Sequence, residues 1–133
     1  MRLAKRSSAV IVLKGKQILL VKRGFPPYRK YYSLVGGIKE ENENHVQCAL
    51  REVREEVGLR LHRKKLQLYK LVNRKGKQLS KIYTYAFRKS PKVKIDTTET
   101  VGFRFFDACE LPAKIVPYHR KLLANFSKKL ETR

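Results

Sequence analysis

GIKEENENHVQCALREVREEVGL, residues 37 to 59, is the stretch on which the reading of this chain turns. Within it Val46, Ala49, Leu50, Val53 and Val57 recur at the spacing of one apolar helical face, so a helix is expected from Glu43 to Val57. Gly58 stands where a glycine closes a helix, and Asn42 is the expected N-cap. At about 100° per residue, Glu55 lies about 60° to one side of Glu52 and Glu56 about 40° to the other. The three carboxylates therefore share a stripe beside the apolar one. Like charges one turn apart repel by a few tenths of a kcal/mol per pair, and they sit at the helix end whose dipole disfavours them. A sequence that accepts both costs gains from a divalent cation. Oxygen ligands select magnesium, manganese or calcium over zinc.

Outward from this segment the charge reverses. It holds six of the chain's 11 acidic residues against three basic ones, a net of −3; the remainder holds five acidic and 29 basic residues, a net of +24. A basic shell around one acidic segment suits a site that holds cations and, through them, phosphates. The length of 133 residues suits one domain spanning residues 1–133, and 42% apolar residues suffice for a core. Two cysteines exclude a disulfide framework or zinc cluster. The longest apolar run, Ala9 to Leu13, is far short of the ~18–20 residues of a membrane span and reads as a strand rather than a signal peptide. The expectation is a cytoplasmic protein with no membrane partner.

Ser8 to Leu13 and Gln17 to Arg23 read as a hairpin around Lys14-Gly15-Lys16. Gly24 to Lys30, with two prolines, reads as a loop, and Tyr31 to Val35 as a short strand ended by Gly36-Gly37. Leu66 to Val72, Lys81 to Arg88 and Val101 to Phe106 are further expected strands. Tyr118 to Leu130 is an expected basic amphipathic helix with Leu122, Leu123, Phe126 and Leu130 on its apolar side. Strands first, with helices in the middle and at the end, describe an α/β or α+β domain around a mixed sheet.

Gly37, Glu43 and the run Arg51-Glu52-Val53-Arg54-Glu55-Glu56-Val57-Gly58-Leu59, at their fixed spacing, resemble the Nudix box at every defined position. A Glu/Arg-rich helix alone is ordinarily a solvated face; the full spacing sets this one apart. Leu19 to Arg23, Gly36-Gly37 leading to Glu40, and Glu110-Leu111-Pro112 extend the resemblance over nearly the whole chain. It implies an α/β/α sandwich and a hydrolase that cleaves the pyrophosphate of a nucleoside diphosphate linked to another moiety, with magnesium or manganese as cofactor. Position by position, Glu52, Glu55, Glu56 and the Gly36 carbonyl would hold the metal, and Glu52 would orient or deprotonate the water. Arg51 and Glu43 would form an ion pair holding the loop against the helix, with Gly37 and Gly58 structural. Glu99 is the expected additional carboxylate from a later loop, with Asp96 second. The chain departs from the family at Val35, where proline is common, and at Asn42, where glycine is.

Arg23 and the aromatics Tyr28 and Tyr32 are the candidates for holding substrate; Phe25 and Tyr31 are further aromatics that could stack on a base. Cys48 is expected to pack rather than react, and His45, His62 and His119 have no ligand spacing. The basic runs at residues 62–65, 74–77, 88–89 and 128–129 admit two readings: a track for RNA, or a cationic coat that concentrates small nucleotides. A small nucleotide, of ADP-ribose type or a (d)NTP, is the expected substrate. Pro117-Tyr118-His119-Arg120-Lys121 loosely resembles small ADP-ribose-hydrolysing members. The alternatives are an RNA 5′-end pyrophosphohydrolase and a non-catalytic nucleotide or RNA sensor. A homodimer is possible.

Overall fold

The computed structural model describes residues 6–74 and 77–131. Lys75 and Gly76, in one of the basic runs, lie outside them. The described elements are β1 (Ser7–Lys14), β2 (Gln17–Arg23), β3 (Tyr32–Ser33), β4 (Val35–Ile38), α1 (His45–Val57), a single 3-10 turn (Arg63–Lys65), β5 (Gln67–Arg74), β6 (Lys77–Phe87), β7 (Thr100–Asp107) and α2 (Pro117–Glu131). The sheet runs β3-β2-β1-β6-β5, with β4 also on β1 and β7 also on β2. It is mixed: β1 pairs in parallel with β6, while β2 and β4 pair with β1 in antiparallel fashion.

The central strands bury both faces, so they read as continuous apolar runs rather than alternating ones. Val10, Val12, Leu19, Val21, Tyr83 and Tyr85 pack with Ala49, Val53 and Val57 of α1. The intervening Ile11, Leu13, Ile18, Leu20 and Ile82 pack with Leu122, Leu123 and Phe126 of α2. Period-two alternation along each strand thus assigns residues to two cores, and the result is the expected α/β/α sandwich. Among the described residues no helix is long and apolar enough to cross a membrane.

Two local expectations need correction. The helix starts at His45, two residues later than the sequence suggested, and its cap is Asn44 rather than Asn42. Asn44 Oδ1 accepts the Gln47 N–H at 2.8 Å while Gln47 Oε1 accepts the Asn44 N–H at 2.9 Å, a reciprocal capping box. Glu43 therefore lies in the loop before the helix. Gly58 closes α1 as expected, at φ +68° with its N–H on the Arg54 carbonyl. The second correction concerns Gly36-Gly37, which do not end a strand. They are the middle of β4, with Gly36 opposite Ala9 and Gly37 opposite Ser8.

Candidate active site

The reason for the glycine pair is close approach. A Cβ on Gly36 would run into the Ser8 carbonyl of β1, and one on Gly37 would stand 2.5 Å from the Glu52 carboxyl. The bare backbone of β4 lets α1 lie directly against it. At Gly36 the N–H donates to Glu56 Oε2 at 2.9 Å. This places the Glu56 side chain, from the last turn of α1, beneath the sheet edge. Burial pushes its carboxyl up to about 8, Glu52 and Glu99 add to the rise, and the Gly36 N–H only partly opposes it. Burial also raises Glu52, against the pull of Arg51.

Arg51 organises the loop before α1. Its Nε and Nη2 donate to the two carboxylate oxygens of Glu43 at 3.0 and 2.7 Å, and Nη2 also reaches the Ile38 carbonyl at 3.2 Å. The fork matches a carboxylate bidentately, which fixes orientation as well as charge. Its hydrogen bonds are the main cause that holds the Glu43 carboxyl down at about 2. Nη1 turns the other way, to Glu52 Oε1 at 2.9 Å and Glu55 Oε2 at 3.1 Å. One guanidinium thus ties the loop to α1 and balances two carboxylates on α1.

A cavity of about 590 Å³ opens over these groups, lined by Gly36, Gly37, Glu52, Glu56 and Glu99 together with Arg23, Phe25, Leu34 and His119. An adjoining cavity of about 510 Å³ shares Glu52, Glu56 and Glu99 and adds Glu55, Asp96 and Thr98. The later loop reaches the site because it is pinned to the end of α1. Lys94 N–H donates to the Val57 carbonyl at 2.9 Å, and Asp96 N–H to the Glu56 carbonyl at 3.1 Å. Glu99 faces both cavities; Asp96 faces only the second, with Oδ1 accepting the Thr98 N–H and hydroxyl at 2.9 and 2.8 Å.

Of the expected substrate residues, Arg23 lines the first cavity, with its guanidinium 4.3 Å from the Phe25 ring centroid. Tyr28 and Tyr32 do not. Tyr28 is exposed on the 24–31 loop and packs on Tyr31 at 5.4 Å between centroids. Tyr32 belongs to the α2-side core, edge-on to Phe106 at 4.9 Å. The aromatic in place is Phe25. His119 is the other residue that local patterning did not place there. Its Nδ1 accepts the Leu34 N–H at 3.0 Å across 85 positions of sequence; the loose family resemblance of residues 117–121 is the local hint, and it does not point to this contact. Cys48 packs as expected, buried, with its thiol on the Gly37 carbonyl and pushed up to about 11 by burial. His45 bonds to Ser7 and Ser8 and braces α1 on β1.

Among the described residues no three histidine, cysteine or acidic side chains stand in a ready-made chelating cluster. Glu55 is half exposed and bonded to Arg51, while Glu56 is buried against Gly36. The donor set nevertheless fits a hard divalent cation. It is all oxygen, and a buried carboxyl faces two others with no cation but Arg51 and Arg23 along the cavity wall.

The sequence matches the family model of the NUDIX domain over residues 4–126. Curated proteins yield no significant sequence match. Solved structures do resemble the fold. A MutT NUDIX hydrolase from Burkholderia pseudomallei superposes with a TM-score of 0.80 at 20% identity, over 92% of this chain and 98% of that one. A C. elegans Ap4A hydrolase binary complex gives 0.74 at 18%, over 97% and 99%. A bifunctional NMN adenylyltransferase/ADP ribose pyrophosphatase from Francisella tularensis gives 0.74 at 15%, over 98% of this chain but 43% of that one. With the family model spanning nearly its whole length, the chain belongs to the Nudix family, hydrolases of phosphorus-containing acid anhydrides.

Proposed function

We propose that this chain hydrolyses the pyrophosphate linkage of a small nucleotide, either a nucleoside diphosphate joined to a further moiety or a (deoxy)nucleoside triphosphate. Magnesium or manganese would be held by Glu52, Glu55, Glu56 and the Gly36 carbonyl. The observation that carries this reading is the buried Glu56 carboxyl, raised to about 8 by burial and by Glu52 and Glu99, in a cavity that Arg23, Phe25 and His119 also line. Such a carboxyl is costly unless a cation joins it. A divalent cation there neutralises phosphate oxygens and acidifies water, which is most of what phosphoryl cleavage needs. In support, the F. tularensis relative was crystallised with AMP and a manganese ion.

The chain's own groups then have distinct tasks. Glu52, whose proton affinity is raised by burial, orients the attacking water or takes its proton. Arg51, clamped by Glu43, holds the Glu52 and Glu55 carboxylates in line from outside the reacting atoms. Arg23 offers a cation to the substrate's phosphates, and Phe25 a surface for a planar group.

A small nucleotide is favoured over an RNA end by where the basic residues lie. Lys64, Lys65 and Lys129 line a separate cavity between β5, β6 and α2 that shares no residue with the acidic one. A cationic coat raises the local concentration of small anions without guiding a long strand. The test is a panel of ADP-ribose, dinucleoside polyphosphates, nucleoside triphosphates and 5′-triphosphorylated RNA with magnesium. Monophosphate release from at least one small nucleotide is expected, falling at least about 10²-fold in Glu55→Gln and Glu56→Gln. Turnover of the RNA alone would transfer the reading to RNA ends; silence across the panel with the ion bound would leave a nucleotide sensor.

A further inference from the structure

We propose that His119 is a specificity-determining residue whose Nε2–H donates a hydrogen bond to an acceptor on the edge of the substrate's base. This assignment deepens the nucleotide reading and rests on it for the identity of the ligand. The geometry decides which nitrogen carries the proton. A backbone N–H can only donate, and the Leu34 N–H points at His119 Nδ1 from 3.0 Å. Nδ1 is therefore the acceptor, and the neutral ring carries its proton on Nε2. Burial, and then the charge of Arg23, push the imidazole down to about 4, so the ring stays neutral and the tautomer stays fixed through the physiological range.

The fold holds this donor rigidly. Tyr32 N–H donates to the Lys114 carbonyl at 2.8 Å and Val116 N–H to the Tyr32 carbonyl at 2.9 Å, which sews the segment before α2 onto β3. Pro117 then starts the helix, and His119 falls in its first turn, over Leu34. Among the described residues no protein group accepts from Nε2. His119 is half-buried and lines the same cavity as Phe25 and Arg23, so its unpartnered Nε2 donor is available to an acceptor on a ligand held there. Glu52, Glu56 and Glu99 line the same cavity. A nucleotide with its phosphates at the acids extends its base toward Phe25, the planar surface in the cavity, and brings a base edge to His119. A site built to donate rejects a base that presents an amino group there.

The test uses two variants that separate the ring's two nitrogens. His119→Asn keeps an acceptor at the Nδ1 position for Leu34 and removes the Nε2 donor. His119→Gln returns a donor to the Nε2 position. Affinities for AMP, GMP, CMP and UMP with magnesium are measured by calorimetry, and kcat/KM for the four nucleoside triphosphates alongside. The spread between best and worst base should narrow about tenfold in His119→Asn, the worth of one such hydrogen bond, and recover at least in part in His119→Gln. KM should carry the change and kcat little of it.

A ranking unmoved in His119→Asn, or a fall in kcat with the ranking intact, overturns the proposal in favour of a structural role. Should His119→Asn not fold, the wild-type imidazole is followed by nitrogen-edited NMR. A downfield move of the Nε2 proton on adding the best-bound monophosphate supports the assignment, and an unmoved signal overturns it. If monophosphates bind with a ranking that His119→Asn narrows while no triphosphate or diphosphate derivative is cleaved, the hydrolytic reading fails and the His119 assignment stands.

Discussion

Replacing Glu56 by glutamine should make the metal-free protein more stable while it disables the site. The carboxyl lies at about 8 in the folded protein against an ordinary glutamate value of 4.5. A raised carboxyl means that the folded state holds a proton which the unfolded chain has already released. Stability from this group is therefore complete below about pH 4.5, falls as pH rises, and levels off above about 8. At about 1.36 kcal/mol per pH unit, the penalty reaches about 3 kcal/mol at pH 7 and about 5 kcal/mol above pH 8. Water entering the cavity and relaxation of the side chain reduce this, so about 1–3 kcal/mol is expected. Glutamine avoids the penalty, because it carries no charge and its carbonyl still accepts the Gly36 N–H.

The assay is urea denaturation in EDTA from pH 5 to pH 9, wild type against Glu56→Gln. The two curves should nearly coincide at pH 5 and separate steadily, with the variant ahead by about 2 kcal/mol at pH 8. Saturating magnesium should close or reverse the gap, since the wild type alone gains the full binding energy of the ion. A variant less stable than wild type at every pH in EDTA would refute the reasoning. So would a difference that does not change with pH.

Three further outcomes follow from single contacts. Glu43→Gln removes the bidentate partner of Arg51; it should cost about 1–2 kcal/mol at neutral pH, and because the native carboxyl is depressed to about 2, the difference should vanish as pH falls from about 4.5 toward 2 in guanidinium titrations. Gly37→Ala puts a Cβ 2.5 Å from the Glu52 carboxyl, so kcat should drop about tenfold or more as Glu52 is displaced, and a kinetic comparison with unchanged kcat would remove Glu52 from its assigned place. Cys48, buried with its thiol pushed up to about 11, should resist iodoacetamide at pH 8 while the exposed Cys109 is alkylated, as read by intact-mass spectrometry.

Where physics is local, the sequence carried it. Apolar spacing from Val46 to Val57 and the left-handed Gly58 defined α1, and unbroken apolar runs at β1 and β2 marked strands covered on both faces. The misplaced cap was also legible, since Asn44 and Gln47 stand at capping-box spacing inside the same segment. Gly36-Gly37 misled for a different reason. Glycine serves turns and close approaches alike, and only the pairing of β4 with β1 tells which. Tyr28 and Phe25 in the loop and Tyr32 at the start of β3 are indistinguishable by residue type. Which ring faces the cavity depends on the path of the 24–31 loop and on Phe106 from β7, which claims Tyr32 for the core. His119 and Leu34 stand 85 positions apart and meet only through the tertiary fold.

The charge segregation of the sequence acquires a meaning once these contacts are placed. A body with net charge of +21 would draw its own carboxylates into ion pairs across the surface, and pairs of that kind would compete with a bound cation. The four salt bridges among the described residues all run to Arg51, and none engages Glu56 or Glu99. Arg51 in turn is anchored by Glu43, whose carboxyl keeps two of its nitrogens occupied. Only Nη1 is left to balance Glu52 and Glu55, at 2.9 and 3.1 Å, and Glu55 is exposed enough for water to weaken that contact. The arrangement holds Glu52 and Glu55 through one shared nitrogen and leaves Glu56 and Glu99 without a salt bridge. It is the condition under which a divalent cation gains most by entering, because the protein has supplied the carboxylates and withheld a complete set of counter-charges.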